Sequence, residues 1–122
     1  MRIPRADCAW KSPSLGATLS LIAPTALSGF TTMKVGGVPK SINRCETATE
    51  LYEAARTAWL GEEKFHVLAG GSNTVFSDEL DELNIILVAN KGKEIQFEDD
   101  QRVLVRVQAG EDWDGFVAWC VQ

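Results

Sequence analysis

Residues 65–73 constrain this chain more than any other stretch: the apolar run Phe65-His66-Val67-Leu68-Ala69 closes on Gly70-Gly71-Ser72-Asn73. A short, continuous apolar run stopped by glycines reads as a strand covered on both faces that enters a tight loop. Two adjacent glycines let the backbone turn with its N–H groups pointing inward, and they leave no side chain in the path of a ligand. Ser72 and Asn73 add a hydroxyl and an amide at the same height. A phosphate oxygen taken out of water must recover its hydrogen bonds, and such a loop can supply them. The spacing is neither the dinucleotide fingerprint G-x-G-x-x-G nor the lysine-ending P-loop. By itself a glycine pair after a strand is also an ordinary turn.

The surrounding segments give that strand its setting. Ser41–Cys45 is expected to be a strand, and Thr47-Ala48-Thr49-Glu50 matches a capping box that starts a helix. Leu51, Ala54, Ala55, Ala58 and Trp59 share one helical face, and Gly61 is placed for a left-handed cap after Leu60. Asn84–Ala89 is another apolar run, Glu94–Glu98 a weaker strand, and Arg102–Ala109 alternates apolar and polar residues. Gly110 ends that strand, and Asp112 caps a second helix with Trp113, Phe116, Val117, Cys120 and Val121 on one face. No closing segment follows Gln122, so this helix is expected to be cut short. Residues 1–28 hold three of the four prolines without periodicity and read as an irregular arm, leaving 29–122 as one folded unit. Strands and helices mix without strict alternation, so the expected class is α+β.

Charge and cysteine content exclude several functions. Twelve basic against 17 acidic residues give a net charge of -5, so no nucleic-acid partner is expected. Three widely spaced cysteines and a single histidine support neither a disulfide scaffold nor a metal site, and they fit reduced thiols in a cytoplasmic protein. Asp7, Pro13, Gly16 and Pro24 interrupt what would otherwise resemble a secretory signal, and no run is suited to spanning a membrane. His66, alternating with Val67, is expected to be structural. Asp78-Glu79-Leu80-Asp81-Glu82 is expected to be a solvated turn, because it lacks the spacing of a calcium loop. Trp113 and Trp119, six apart, fall on different sides of the last helix, with Trp113 within its apolar face, and core or domain-interface packing is expected.

From Leu27 to Gln122 the order of segments resembles the first FAD-binding subdomain of the UDP-N-acetylenolpyruvoylglucosamine reductases. The carrying residues are Thr31-Thr32-Met33-Lys34-Val35-Gly36-Gly37, the capped helix, Gly70-Gly71-Ser72-Asn73, the strand Ile85–Asn90 and Ala109-Gly110-Glu111. The resemblance implies a truncated piece of a flavin oxidase/reductase-type FAD-binding domain, a small mixed sheet with flanking helices. It implies that Gly70–Asn73 wraps the FAD pyrophosphate, that Val67, Leu68 and Thr74 flank the cofactor, and that Asn90 and Gly110 face it from strand ends. Ala69 departs from the glycine common in relatives; its methyl group disfavours a positive φ, which Gly70 is expected to absorb. The family reduces the enolpyruvyl double bond of a UDP-sugar with hydride from NADPH. Its proton donor and substrate-binding arginine and glutamate are expected beyond residue 122, so this chain carries no catalytic residue and no metal ligand. An FAD-linked oxidase of the same cofactor fold and a non-catalytic nucleotide-binding or interaction module are the alternatives.

Overall fold

The computed structural model describes residues 20–121. Its main sheet has four strands in the order β1-β2-β4-β3, formed by β1 (Leu21–Ile22), β2 (Pro39–Cys45), β3 (Phe65–Leu68) and β4 (Leu80–Val88). β4 lies in the middle, parallel to both neighbours, with Ile42 opposite Ile85 on one side and Val67 opposite Ile86 on the other. β1 adds an antiparallel edge, Leu21 facing Asn43.

A strand buried on both faces needs apolar side chains at successive positions, and β4 has them. Ile85 and Leu87 enter one core with Leu27, Ile42, Leu68 and Leu80, covered by Phe30 and Phe76. Ile86 points the other way, packing with Cys45, Ala54 and Ala58 beneath α1 (Ala48–Leu60). One face is therefore covered by a helix and the other by irregular segments, so flanking helices describe only half of the sheet.

Both halves of the expected capping box form: Thr47 Oγ1 accepts from Glu50 N at 3.1 Å, and Glu50 Oε2 accepts from Thr47 N at 3.1 Å. The carboxyl end differs from expectation. Gly61 stays right-handed at φ -80°, and the left-handed residue is Glu62 at φ 53°. The Gly61 N–H bonds to Thr57 O while still helical, so the reversal comes one residue later. Trp59 is exposed, because the sheet beneath α1 reaches only as far as Ala54 and Ala58.

Two further expectations are corrected. Residues 20–28 are not an irregular arm: Leu21–Ile22 pairs with β2 and Leu27 is fully buried. A two-residue strand beside a proline is too short to show periodicity; residues 1–19 of the expected arm lie outside the description. The acidic run 78–82 is not wholly a turn, since Leu80–Glu82 begins β4 with Leu80 inward and Glu82 paired with Lys64. The last two strands, β5 (Lys93–Glu98) and β6 (Val103–Val107), form a separate antiparallel pair. α2 (Trp113–Cys120) begins at Asp112, whose carboxylate accepts from Gly115 N at 2.7 Å, and buries none of its residues completely. Its more covered indole is Trp119, beneath Lys93 at 5.7 Å, whereas Trp113 is 72 % exposed. No helix among the described residues is long and apolar enough to cross a membrane.

Burial pushes the Cys45 thiol up to about 11, with the Glu50 carboxylate adding to the shift. Its stabilising contribution is complete below the ordinary thiol range and is lost as pH rises through about 11, because an unfolded thiol ionises earlier. Cys120 is exposed. Iodoacetamide at pH 8 should therefore modify Cys120 within minutes and reach Cys45 only after denaturation, as peptide mass mapping would show; equal rates would contradict this packing.

Candidate functional site

β2, β3 and β4 run parallel, so their carboxyl ends open on the same edge of the sheet, where open α/β sheets place ligands. The chain leaves β3 into Ala69 and the loop Gly70–Asn73. Gly71 is buried and left-handed at φ 64°. A Cβ on it would lie 2.1 Å from Phe30 O, and its own carbonyl accepts from Thr32 N at 3.0 Å. The Thr31-Thr32 turn thus latches the loop, itself tied by Thr31 Oγ1 donating to Val35 O. Gly36 and Gly37 close the arrangement through Ser28 N to Gly36 O, Leu27 N to Gly37 O and Gly37 N to Ser77 O. Neither Ala69 nor Gly70 has positive φ, so the expectation that Gly70 absorbs strain is corrected: Gly71 makes the turn, and the Ala69 methyl costs the backbone nothing.

The N–H groups of Gly70, Ser72 and Asn73 donate to no group among the described residues, and all three residues are exposed. Nothing lies within 4 Å of a Cβ built on Gly70. Beside the loop is a cleft of about 730 Å³, with Thr32, Ala69, Gly70 and Ser72 on one wall. Val88 and Lys91, at and just after the end of β4, and Gly110, Glu111 and Asp114, from the segment entering α2, line it as well.

The two strand-end segments are knitted together. Asn90 Nδ2 donates to Gln108 Oε1 at 2.8 Å, Gly92 N to Glu111 Oε1 at 2.6 Å and Gln108 N to Gly92 O at 2.9 Å. Gly110 fits against the Asn90 backbone so closely that a Cβ would lie 2.5 Å from Asn90 O. Asn90 is 4 % exposed, and its Oδ1 is buried without a partner.

Of the residues expected at the site, Ala69, Gly70, Ser72 and Gly110 line the cleft together. Gly71 lies beneath it as the hinge, and Asn90 stands behind Gly110. Leu68 is 1 % exposed among Leu27, Ile42 and Ile85, so its side chain is core and does not flank the cleft. Val67 is exposed, and neither it, Asn73 nor Thr74 lines the cleft. His66 packs edge-on against Phe76 at 5.2 Å. Sequence reasoning missed Thr32, Lys91, Asp114 and Trp113 as cleft residues. Their signal was available, since each sits in or beside a segment already singled out.

The loop has the chemistry for a diphosphate: three N–H donors within four residues lack a partner among the described residues, and nothing lies within 4 Å of a Cβ built on Gly70. The lining segment that enters α2 carries carboxylates. Glu111 and Asp112 accept from the N–H groups of Gly92 and Gly115, while Asp114 has no partner among the described residues.

Over 99 residues, 81% of its length, this chain is 37% identical to a UDP-N-acetylenolpyruvoylglucosamine reductase of Leifsonia xyli. The chain matches part of the UDP-N-acetylenolpyruvoylglucosamine reductases. The reductase of Mycobacterium sp. (strain MCS) is 40% identical over 78% of the chain, and that of Flavobacterium johnsoniae 48% identical over 48%. The chain spans about a quarter of the length of the Leifsonia reductase and a similar share of the mycobacterial one. No protein-family model matches it.

Proposed function

We propose that this chain is the amino-terminal, FAD-binding portion of an NADPH-dependent reductase that converts UDP-N-acetylglucosamine-enolpyruvate to UDP-N-acetylmuramate in peptidoglycan synthesis. The observation that carries this reading is the pair of N–H donors at Gly70 and Ser72, which line the cleft on either side of left-handed Gly71 and have no partner among the described residues. The names of its relatives support a reductase acting on UDP-N-acetylenolpyruvoylglucosamine.

Within this portion the residues bind and orient. The loop amides take the cofactor diphosphate, and the acceptors Glu111 and Asp114, which line the same cleft, suit sugar hydroxyls, which can donate where phosphate cannot. The flavin, when bound, supplies the hydride chemistry between NADPH and the enolpyruvyl substrate. Proton delivery and UDP-sugar binding belong to the rest of the reductase, and the chain alone is inactive.

Adding the chain to FAD should quench flavin fluorescence, with no NADPH oxidation when the enolpyruvyl UDP-sugar is supplied. Absence of quenching both by this chain and by a version extended to the relatives' length would reject the flavoprotein reading.

A further inference from the structure

Among the described residues β5 and β6 pair only with each other, so each keeps one open edge. The two edges are not alike. β5 changes register between Ile95 and Phe97 and carries Lys93, Glu94 and Glu98. Bulges and charges of that kind keep a strand from pairing with another chain. β6 has no such irregularity, no glycine and no proline, and its single charge is Arg106. Gln108 N donates to Gly92 O at 2.9 Å, and Arg102 O accepts from Asp99 N at 3.0 Å, so the even-numbered residues 102–108 turn their backbone groups toward β5. Alternation leaves the N–H and C=O groups of Val103, Val105 and Val107 on the open edge. The valine side chains share one face of the ribbon, where Val105 and Val107 form a groove of about 490 Å³ with Phe116 and Trp113 of α2.

We infer that β6 is the contact through which two copies of this chain associate, edge to edge and antiparallel about Val105. A strand that pairs with its own copy must match itself when reversed, and β6 does. Centred on Val105, Val103 falls opposite the second copy's Val107, Val105 opposite its counterpart, and Leu104 opposite the second copy's Arg106. All three valines then meet as hydrogen-bonded pairs through backbone groups that already point outward. Valine faces valine on the side shared with α2, and each arginine stem lies along a leucine. Moving the centre to Leu104 would set Arg102 opposite Arg106, and moving it to Arg106 would set that arginine opposite itself. Like charges directly opposite are unfavourable, so charge selects the Val105 register. Pairing would also cover Val103 and Leu104, which are 51 % and 61 % exposed. The two-fold axis stands perpendicular to the joined sheet, so a dimer closes and adds no further copies through this edge. The inference needs no ligand at the Gly70–Asn73 loop.

Light scattering behind size exclusion should give the unchanged chain twice the mass of a single chain. Leu104→Arg sets two pairs of arginines against each other and should weaken the dimer about tenfold. Adding Arg106→Glu to that variant turns both clashes into opposite-charge pairs and should restore the dimer, a rescue that a merely destabilised fold would not show. Val105→Pro removes an outward N–H while sparing the bonds to β5, and it should leave a folded monomer. A monomeric unchanged chain would overturn the inference, and so would a dimer indifferent to both Leu104→Arg and Val105→Pro. Slow amide exchange at Val103, Val105 and Val107 in a monomer would give that edge to another part of the same chain, and would overturn it as well.

Discussion

Gly71→Ala should lower the urea midpoint of unfolding sharply, by roughly 2–5 kcal/mol of stability, because it combines a left-handed backbone with overpacking. The new methyl carbon would sit 2.1 Å from Phe30 O, and that carbonyl belongs to backbone that cannot swing aside as a side chain would. Gly70→Ala is the matched control. Its φ is not positive and a Cβ there meets nothing within 4 Å, so stability should change by less than about 1 kcal/mol. Its methyl group would instead occupy the space assigned to phosphate, and FAD affinity should fall about tenfold, a loss of roughly 1.4 kcal/mol. If Gly70→Ala unfolds as readily as Gly71→Ala, the division of labour between hinge and cradle is wrong.

Leu68→Ala should cost about 2–5 kcal/mol, the range for emptying a leucine site in a packed core. Leu68 is 1 % exposed and shares its core with Leu27, Ile42, Ile85 and Leu87. Val67, one residue earlier, is 46% exposed, and Val67→Ala should stay within about 1 kcal/mol. Urea titration of the two variants separates them. A Leu68→Ala chain of normal stability that had lost FAD would return that side chain to the cofactor and contradict the core assignment.

What the sequence made legible was local. The capping box at Thr47–Glu50 and the Asp112 cap are set by residues three apart, so spacing alone predicts them. The apolar run of β4 announces burial on two faces because no other setting accepts five successive buried residues at 84–88 except the polar Asn84 at its start. Long-range pairing was not legible. Nothing in Leu21–Ile22 distinguishes a two-residue edge strand from an arm, and nothing in β5 or β6 says that they pair only with each other. The same limit applied at the site. The glycine pair marked the loop, but which glycine turns depends on Phe30, about forty residues away in sequence yet in contact across the fold. Trp113 fitted an apolar helical face, and helical spacing cannot tell a face that is covered from one that lines a groove.

The middle position of β4 sets an order of events during synthesis. β2 and β3 are made first, yet neither pairs with the other; β2 has only β1 beside it, and β3 has no partner, until residues 80–88 are made. Until that segment has left the ribosome, the flanking strands present unpaired edges and the Gly70 loop has no sheet to stand on. The binding edge and the central strand therefore become structured together, and a nascent chain halted before Leu80 should have neither.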